Sequence, residues 1–468
     1  MRVRSEWGRA ARGASPAEHD RFPARLQMAE GLSFNGPRFN LADSRRLTLR
    51  SADVPDPDFV PRIVEPRLTE ALEDAPVVLL HGPRQSGKST LVRSVGEAHG
   101  RTYLSFDDDV VREAATSDPV GFVLDLPARV TLDEIQRVPQ LFTTLKAAVD
   151  RNRTPGRFLL TGSANVLLLP RLADSLAGRM AVLRLHPFAQ VEVERAPAGF
   201  LDRLLTGGWA VRRTQRLGPN LAERIVAGGY PPALGRPSHR RRAAWYRDYV
   251  MAITQRDVRD LARIGALEAL PKLVASVASQ TARLVNVSAL AAPFEVSRPT
   301  IRDYLTLLQH VFMVMELPAW HRNRLQRLVK APKLHMGDTG VAAAVLGLGA
   351  DDLVADRHAY GQLLETFVVQ ELMRQAAGHE HDLCFHHFRD RDGYEVDVVI
   401  ERAGRAVAGV EVKAAATVTD ADFRGLRQLA RAAGEAFVAG VVLYDGEVSA
   451  PFGERLRAVP VRDLWEPV

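Results

Sequence analysis

The 468-residue sequence contains one cysteine, Cys384, so it can build neither an intrachain disulfide framework nor a cysteine-rich zinc site. A reducing, cytoplasmic setting fits that composition best. No apolar run reaches membrane-spanning length, and no membrane role is expected. The opening residues, MRVRSEWGRAARGAS, lack the apolar middle of a secretory signal. Neither sign of charge dominates: 62 Lys and Arg face 56 Asp and Glu, a formal net charge of +6. Arginine is abundant, which permits nucleic-acid binding without requiring it. Hydrophobic residues at 46% and charged residues at 25% are ordinary for a globular chain. The length implies about three or four domains.

Residues 1–60 are rich in Arg, Pro, Ser and Asp and lack apolar periodicity. They are expected to form a flexible extension, with Met28 as an alternative start. From Val77 to Pro187, the short apolar runs VVLL, TYLSF, RVTLDE, RFLLTGS and MAVLRL alternate with helical patterns. That is the rhythm of a parallel α/β sheet, and the core is expected over 61–190. Residues 191–265 turn helical and polar and include the basic run SHRRRAAWYRDY. They are expected to form a helical lid or linker. A compact unit over 266–330 and a mixed α/β domain over 331–468 complete the chain.

Residues 81–90 read HGPRQSGKST. Within them, 82–89 match G-x-x-x-x-G-K-[ST] between the apolar strand VVLL and the helical run STLVRSV. Gly82 and Gly87 allow backbone N–H groups to curl around phosphate oxygens. Pro83, Arg84, Gln85, Ser86 and Thr90 complete the expected cradle. Lys88 is placed to reach the β- and γ-phosphates of ATP, and Ser89 to ligate Mg²⁺. The helix N-terminus adds its positive dipole end.

RVTLDEIQ, residues 129–136, is a strand ending in two acids. Asp133 is expected to hold Mg²⁺ and Glu134 to act as general base on the attacking water. A third strand, RFLLTGSAN, ends in Thr161, Ser163 and Asn165, any of which is a candidate contact to the γ-phosphate or the lytic water.

Residues 286–317 read NVSALAAPFEVSRPTIRDYLTLLQHVFMVMEL. The pattern predicts a short helix capped by Asn286 or Ser288, then a second helix capped by Ser297 with Pro299 in its first turn. Ile301, Leu305 and Leu308 form the apolar stripe of the second helix, and VFMVMEL reads as a strand. Helix, turn, helix and strand make a winged-helix pattern. Arg298, Thr300 and Arg302 would face DNA, with Arg322, Arg324, Arg327 and Lys330 as phosphate contacts. The alternative is a helical packing module.

A second chemical site is expected near the C-terminus. GYEVDVVIE, residues 393–401, and VAGVEVKAA, residues 407–415, both alternate with period two. Glu395 and Asp397 share one strand face, and Glu411 and Lys413 share another. Asp397 and Glu411 suit a Mg²⁺ site for phosphodiester cleavage, with Lys413 polarising the attacking water. The spacing resembles the D…E-x-K signature of PD-(D/E)XK nucleases. Those folds often add an acid from a preceding helix, and Glu365 in GQLLETFVVQELM stands on the same stripe as Val368, Val369 and Leu372. The bland alternative is a cross-strand Glu–Lys pair.

Together, GPRQSGKST, LDEIQRVP, LLTGSAN, LAGRMAVLRLHPF, DTG and VEVKA resemble the AAA-type P-loop ATPases. They resemble in particular a large prokaryotic group, of uncertain role, that joins an AAA core to a C-terminal domain with a nuclease-like fold. The resemblance covers roughly residues 62–468. It implies an α/β protein with a P-loop AAA-type parallel sheet core, helical lid, winged helix and restriction-endonuclease-like mixed α/β domain. It also implies a homo-oligomer in which an arginine from a neighbour reaches the γ-phosphate; Arg179, Arg256 and Arg259 are candidates. The expected activity is ATP hydrolysis with Mg²⁺ that moves or licenses DNA-binding, nuclease-like modules. The alternative is a regulatory ATPase whose C-terminal domain is an inactive DNA- or protein-binding module.

Overall fold

The computed structural model describes residues 59–163, 176, 178–257, 269–294, 296–402 and 406–466. Residues 1–58 of the expected N-terminal extension, Asn165, the Arg256 side chain and Arg259 lie outside them. Among the described residues no helix is long and apolar enough to cross a membrane.

The first sheet contains β1 (Val77–His81), β2 (Thr102–Ser105), β3 (Val130–Asp133), β4 (Phe158–Gly162) and β5 (Met180–Arg184). All its pairings are parallel, in the order β2-β3-β4-β1-β5. The continuous apolar runs arise because both faces are covered. Val77, Leu79, Leu132, Phe158 and Leu160 enter one apolar cluster, while Val78, Leu80 and Leu159 enter another with Leu91 and Val92. The carboxyl ends of β1, β3 and β4 converge on the loops that carry the polar motifs.

After β6 (Arg212–Arg213) come the helices Pro219–Ala227, Pro231–Leu234 and His239–Ala252, and further on Ala269–Ser279, Val287–Ala291 and Arg298–His310. The last three are interleaved with β7 (Arg283–Leu284) and β8 (Val314–Leu317); a short helix, Arg324–Arg327, then leads to β9 (Lys333–Met336), and the strands form an antiparallel sheet in the order β7-β9-β8. The Asn286 side chain accepts from the Ala289 N–H, and Ser297 accepts from the Thr300 N–H, so both helices start at their capping residues. Ile301, Leu305 and Leu308 are buried. The strand begins at Val314, later than the pattern VFMVMEL predicts. Phe312 adopts φ 60°, and the Met313 N–H still returns to the Leu308 carbonyl at 2.9 Å. The helix terminus therefore consumes the first three residues of that run.

The last sheet holds β10 (Leu383–Arg389), β11 (Glu395–Arg402), β12 (Ala406–Lys413), β13 (Phe437–Tyr444), β14 (Val448–Pro451) and β15 (Leu456–Pro460). Its order is β10-β11-β12-β13-β15-β14-β6. The edge strand β6 is thus donated by the segment that follows the first sheet. One apolar cluster runs from Ala189 to Trp465 and takes in Leu221, Ile301, Val341, Phe367 and Val441. Past β8, the Trp320 N–H donates to the His387 carbonyl at 2.6 Å and the His387 N–H to the Pro318 carbonyl at 2.9 Å. The small sheet is therefore stitched to the edge of the large one.

Candidate nucleotide site and C-terminal carboxylate cluster

The loop after β1 requires glycine at two places. Gly82 has φ +156°, and a Cβ there would lie 2.1 Å from the Leu185 carbonyl oxygen. Gly87, at φ +97°, caps the helix Lys88–Ala98, whose unpaired N–H groups face the loop. Lys88 is 4% exposed, and its Nζ donates to the carbonyls of Gly82 at 3.0 Å and Pro83 at 2.9 Å. Arg84, Gln85, Gly87, Lys88, Ser89 and Thr90 line a cleft of about 910 Å³, with Glu134, Pro231 and Pro232 across from them. Ser86 is fully buried beneath the loop.

Three hydroxyls hold Asp133. Ser89 Oγ donates to Oδ2 at 2.9 Å, Tyr103 Oη to Oδ2 at 2.5 Å, and Thr161 Oγ1 to Oδ1. Burial, reinforced by the Asp133 carboxylate, raises the Tyr103 hydroxyl above its ordinary range. Glu134 sits in the left-handed region at φ 60°, which a glutamate adopts only where its surroundings impose it. Its N–H donates to Thr161 Oγ1 at 3.0 Å. Ser163 Oγ lies 2.5 and 2.6 Å from its two carboxylate oxygens, and Gln136 donates to it as well. Of the polar candidates at the end of β4, Thr161 joins the Asp133 carboxylate to the Glu134 backbone, and Ser163 serves the Glu134 carboxylate. The pair Ser89 and Asp133 presents a hydroxyl and a carboxylate, a hard oxygen set that fits Mg²⁺ beside a phosphate.

The outer side of the cradle rests on residues for which the sequence pattern carries no signal. Arg62 donates to the Ser86 carbonyl at 2.8 Å, the His186 carbonyl at 2.6 Å and Glu192 Oε1 at 2.9 Å. Tyr249 Oη donates to the Arg84 carbonyl at 3.2 Å. The neighbouring Gln190 N–H donates to Glu371 Oε2 at 2.8 Å. Arg374, one helical turn along, donates to the Phe188 carbonyl and to Asp338 Oδ2, both at 2.8 Å. Asp338 Oδ2 also accepts the Gly229 N–H at 2.9 Å, just before the Pro231–Pro232 wall of the cleft. Burial pushes the Glu371 carboxyl up to about 7, against the opposing pull of Arg374. A buried polar chain thus links the P-loop to the helices Thr339–Leu346 and Arg357–Ala376.

At the C-terminal sheet, Glu365, Asp397, Glu411 and Lys413 do come together. Lys413 Nζ donates to Glu411 Oε1 at 2.8 Å, and Asp397 Oδ2 accepts the Val412 N–H at 3.0 Å. The residue that sequence reasoning missed is Lys333 of β9. Its ammonium lies 2.7 Å from Glu365 Oε1 and 2.9 Å from Asp397 Oδ1. Burial pulls its pKa down, but Asp397 and Glu365 outweigh burial and raise it. Burial and the Asp397 charge push Glu411 up to about 8 and Glu365 well above its ordinary range, while Lys333 holds Asp397 below its own despite burial. The only cue to Lys333 in the sequence is a lysine at the start of the short apolar strand KLHM. Glu395 pairs instead with Arg389 at 2.9 Å.

Arg298 and Arg302 are exposed on the second helix, while Thr300 is half-buried and hydrogen-bonded to Ser297 at 2.8 Å. Arg322 and Arg324 are exposed. Arg327 turns inward to Glu401 at 2.7 Å and so is not an outward-facing contact, while the half-buried Lys330 Nζ donates to the Arg389 carbonyl at 3.0 Å. Arg179 pairs with Asp150 at 2.6 Å.

The AAA domain family matches residues 74–194 of this chain. Uncharacterized protein Rv2008c of Mycobacterium tuberculosis is 31% identical over 406 residues, covering 85% of this chain and 83% of that protein. The chain belongs to the same family. It is an AAA-type P-loop ATPase with a C-terminal domain of unknown function, DUF4143, matched over residues 360–464. Between them, the domain of unknown function DUF8612 matches residues 218–352. Uncharacterized protein Mb2031c of Mycobacterium bovis shows the same 31% identity over 406 residues. Among solved structures, the Walker-type ATPase PABY2304 of Pyrococcus abyssi gives a TM-score of 0.41 at 16% identity, over 60% of this chain and 94% of its own. The RuvB Holliday junction branch migration motor of Thermotoga maritima gives 0.27 at 19% identity, over 56% of this chain and 91% of its own.

Proposed function

We propose that this ATPase uses its nucleotide state to move a winged-helix DNA-binding unit that is rigidly joined to a nuclease-like C-terminal domain. The observation that carries the reading is the buried polar path from the Ser86 carbonyl through Arg62 to Glu192, which accepts the Ala189 N–H, then across the Ala189–Gln190 peptide to Glu371, Arg374 and Asp338. Ser89 and Asp133 would hold Mg²⁺, which when bound supplies charge neutralisation at the phosphates. Lys88 exchanges its two loop carbonyls for β- and γ-phosphate oxygens. Glu134 gives up one of its contacts to Ser163 or Gln136 and takes a proton from the attacking water. The loop carbonyls shift as the cradle fills, and Arg62 and Tyr249 are the groups that feel it.

The element order helix–β7–helix–helix–β8–short helix–β9, with the sheet order β7-β9-β8, supports the winged-helix reading. The exposed Arg298 and Arg302 at the start of the second helix support contact with a phosphate backbone. The test is ATP turnover with and without duplex DNA. Duplex DNA should bind and change the turnover rate. Turnover indifferent to DNA, with no duplex binding, overturns the coupling.

A further inference from the structure

The C-terminal cluster has the acids of a divalent-cation site, but a lysine occupies the position between two of them, Asp397 and Glu365. Asp397, Glu411 and Lys413 stand on β11 and β12 in the order expected for metal-assisted phosphodiester cleavage, with Glu365 added from the helix Arg357–Ala376. Mg²⁺ or Mn²⁺ bound by Asp397 and Glu365 would have to sit between their facing oxygens, with metal–oxygen distances of about 2.1 Å for Mg²⁺. That position is filled. Lys333 Nζ touches Asp397 Oδ1 at 2.9 Å and Glu365 Oε1 at 2.7 Å, distances suited to charge-assisted N–H···O bonds. Among the described residues no group of three or more His, Cys, Asp or Glu side chains is disposed to hold a metal ion.

Lys333 is not a mobile surface lysine that drifts in. It lies in the central strand of the three-stranded sheet, in register with Leu284 of β7 on one side and Leu317 of β8 on the other. The residue is 5% exposed. The other Asp397 oxygen is engaged by the Val412 N–H. Withdrawing Lys333 would mean unzipping β9 or burying two carboxylates without a cation, either of which strongly disfavours the folded state. The cation therefore belongs to the winged unit, whereas the acids belong to the C-terminal sheet and its helix. One carboxylate oxygen, Glu411 Oε2, is buried without a protein partner, so the cluster keeps a spare acceptor.

We infer that Lys333 is a built-in cation that takes the place of the divalent metal, so that this domain clamps the winged unit to the nuclease-like sheet and does not cleave phosphodiesters. The inference rests on the nuclease-like reading of β11 and β12, but not on nucleotide hydrolysis or DNA binding. Replacing the lysine should uncover the latent site, because Glu365 and Asp397 are then left without their counter-ion, while Glu411 keeps Lys413.

The test is Mn²⁺ binding to the full chain without nucleotide, read by calorimetry and by the metal-dependent shift of thermal melting. Asp397→Asn serves as the reference, because it identifies binding at this cluster and not at the P-loop. Wild type and Asp397→Asn should bind Mn²⁺ identically and melt without a differential shift. Lys333→Met should melt at a lower temperature without metal, gain one Mn²⁺ site, and recover melting temperature on adding Mn²⁺. Lys333→Met/Asp397→Asn should lose that gain. A wild-type Mn²⁺ site that disappears in Asp397→Asn would overturn the inference, whether or not Lys333→Met folds. So would a folded Lys333→Met that gains no Mn²⁺. Failure of duplex binding in wild type would leave these outcomes unaltered and would count only against the DNA reading.

Discussion

Arg62→Met should weaken both the fold and ATP binding. In the native protein the guanidinium satisfies one carboxylate and two backbone carbonyls, all in a buried setting. The Arg62 and Glu192 side chains are only 5% and 2% exposed. Removing one partner of such a pair costs about 3–5 kcal/mol, because the surviving charge stays buried. Each stranded carbonyl adds about 1 kcal/mol or more. Glu192 still accepts the N–H groups of Ile63 at 2.9 Å and Ala189 at 2.8 Å, which offsets part of the loss. A net destabilisation of about 4 kcal/mol is expected, a large share of the stability of an ordinary domain. Because the Ser86 carbonyl is one of the stranded acceptors, the P-loop loosens and the KM for ATP should rise. Arg62→Lys should rescue little, since a single ammonium cannot span three acceptors set in a fork. Glu192→Gln placed on top of Arg62→Met should recover about 2 kcal/mol by removing the orphaned charge, giving a clear non-additive cycle. Urea denaturation and steady-state ATP turnover read both effects. A loss under about 1 kcal/mol with an unchanged KM would refute the argument, as would strict additivity with Glu192→Gln.

Glu371 has its carboxyl pushed from 4.5 to about 7 in the fold, so the native state binds a proton that the unfolded chain has released. Its contribution to stability is full below about pH 4.5 and falls by about 3 kcal/mol as pH rises through 7. Glu371→Gln should therefore flatten the stability–pH curve between pH 5 and 8 and be more stable than wild type at about pH 8; an unchanged slope in denaturant titrations across that window contradicts the assignment. Replacing both Arg298 and Arg302 with Ala should weaken duplex DNA binding and lower the slope of log affinity against log salt by about 0.9 for each phosphate that is no longer neutralised. An unchanged slope and affinity would make the helix a packing element.

The parallel core was readable because its strands are continuous apolar runs, and its site was readable because G-x-x-x-x-G-K-S has a spacing that follows from wrapping a phosphate. Asp133 and Glu134 were readable for the same reason: acids directly after a buried strand fall at the carboxyl edge of the sheet. The supports were not. Arg62, Tyr249 and Arg374 act over sequence separations that no local pattern records, and each looks in sequence like any surface arginine or core tyrosine. Thr161 and Ser163 could be named as candidates, but their division between Asp133 and Glu134 depends on the left-handed turn at Glu134. At the C-terminal sheet, period-two alternation placed Asp397 beside Glu411 and Lys413, but it also grouped Glu395, which pairs with Arg389 instead. It was blind to Lys333, because that lysine arrives from a different sheet. The edge strand β6 was equally hidden, since two arginines in a polar stretch carry no strand signal and pair only because β14 offers an open edge.

The most direct test of the account is single-turnover hydrolysis of radiolabelled ATP by wild type, Lys88→Ala and Glu134→Gln in Mg²⁺, with bound nucleotide recovered on a filter. Wild type should release phosphate. Lys88→Ala should fail to retain ATP, since its ammonium lines the cleft at the base of the phosphate cradle. Glu134→Gln should retain ATP uncleaved, because the cradle and the Ser89–Asp133 pair remain while the base is gone. Phosphate release at the wild-type rate by either variant would contradict the assignment of this cleft as the hydrolytic site.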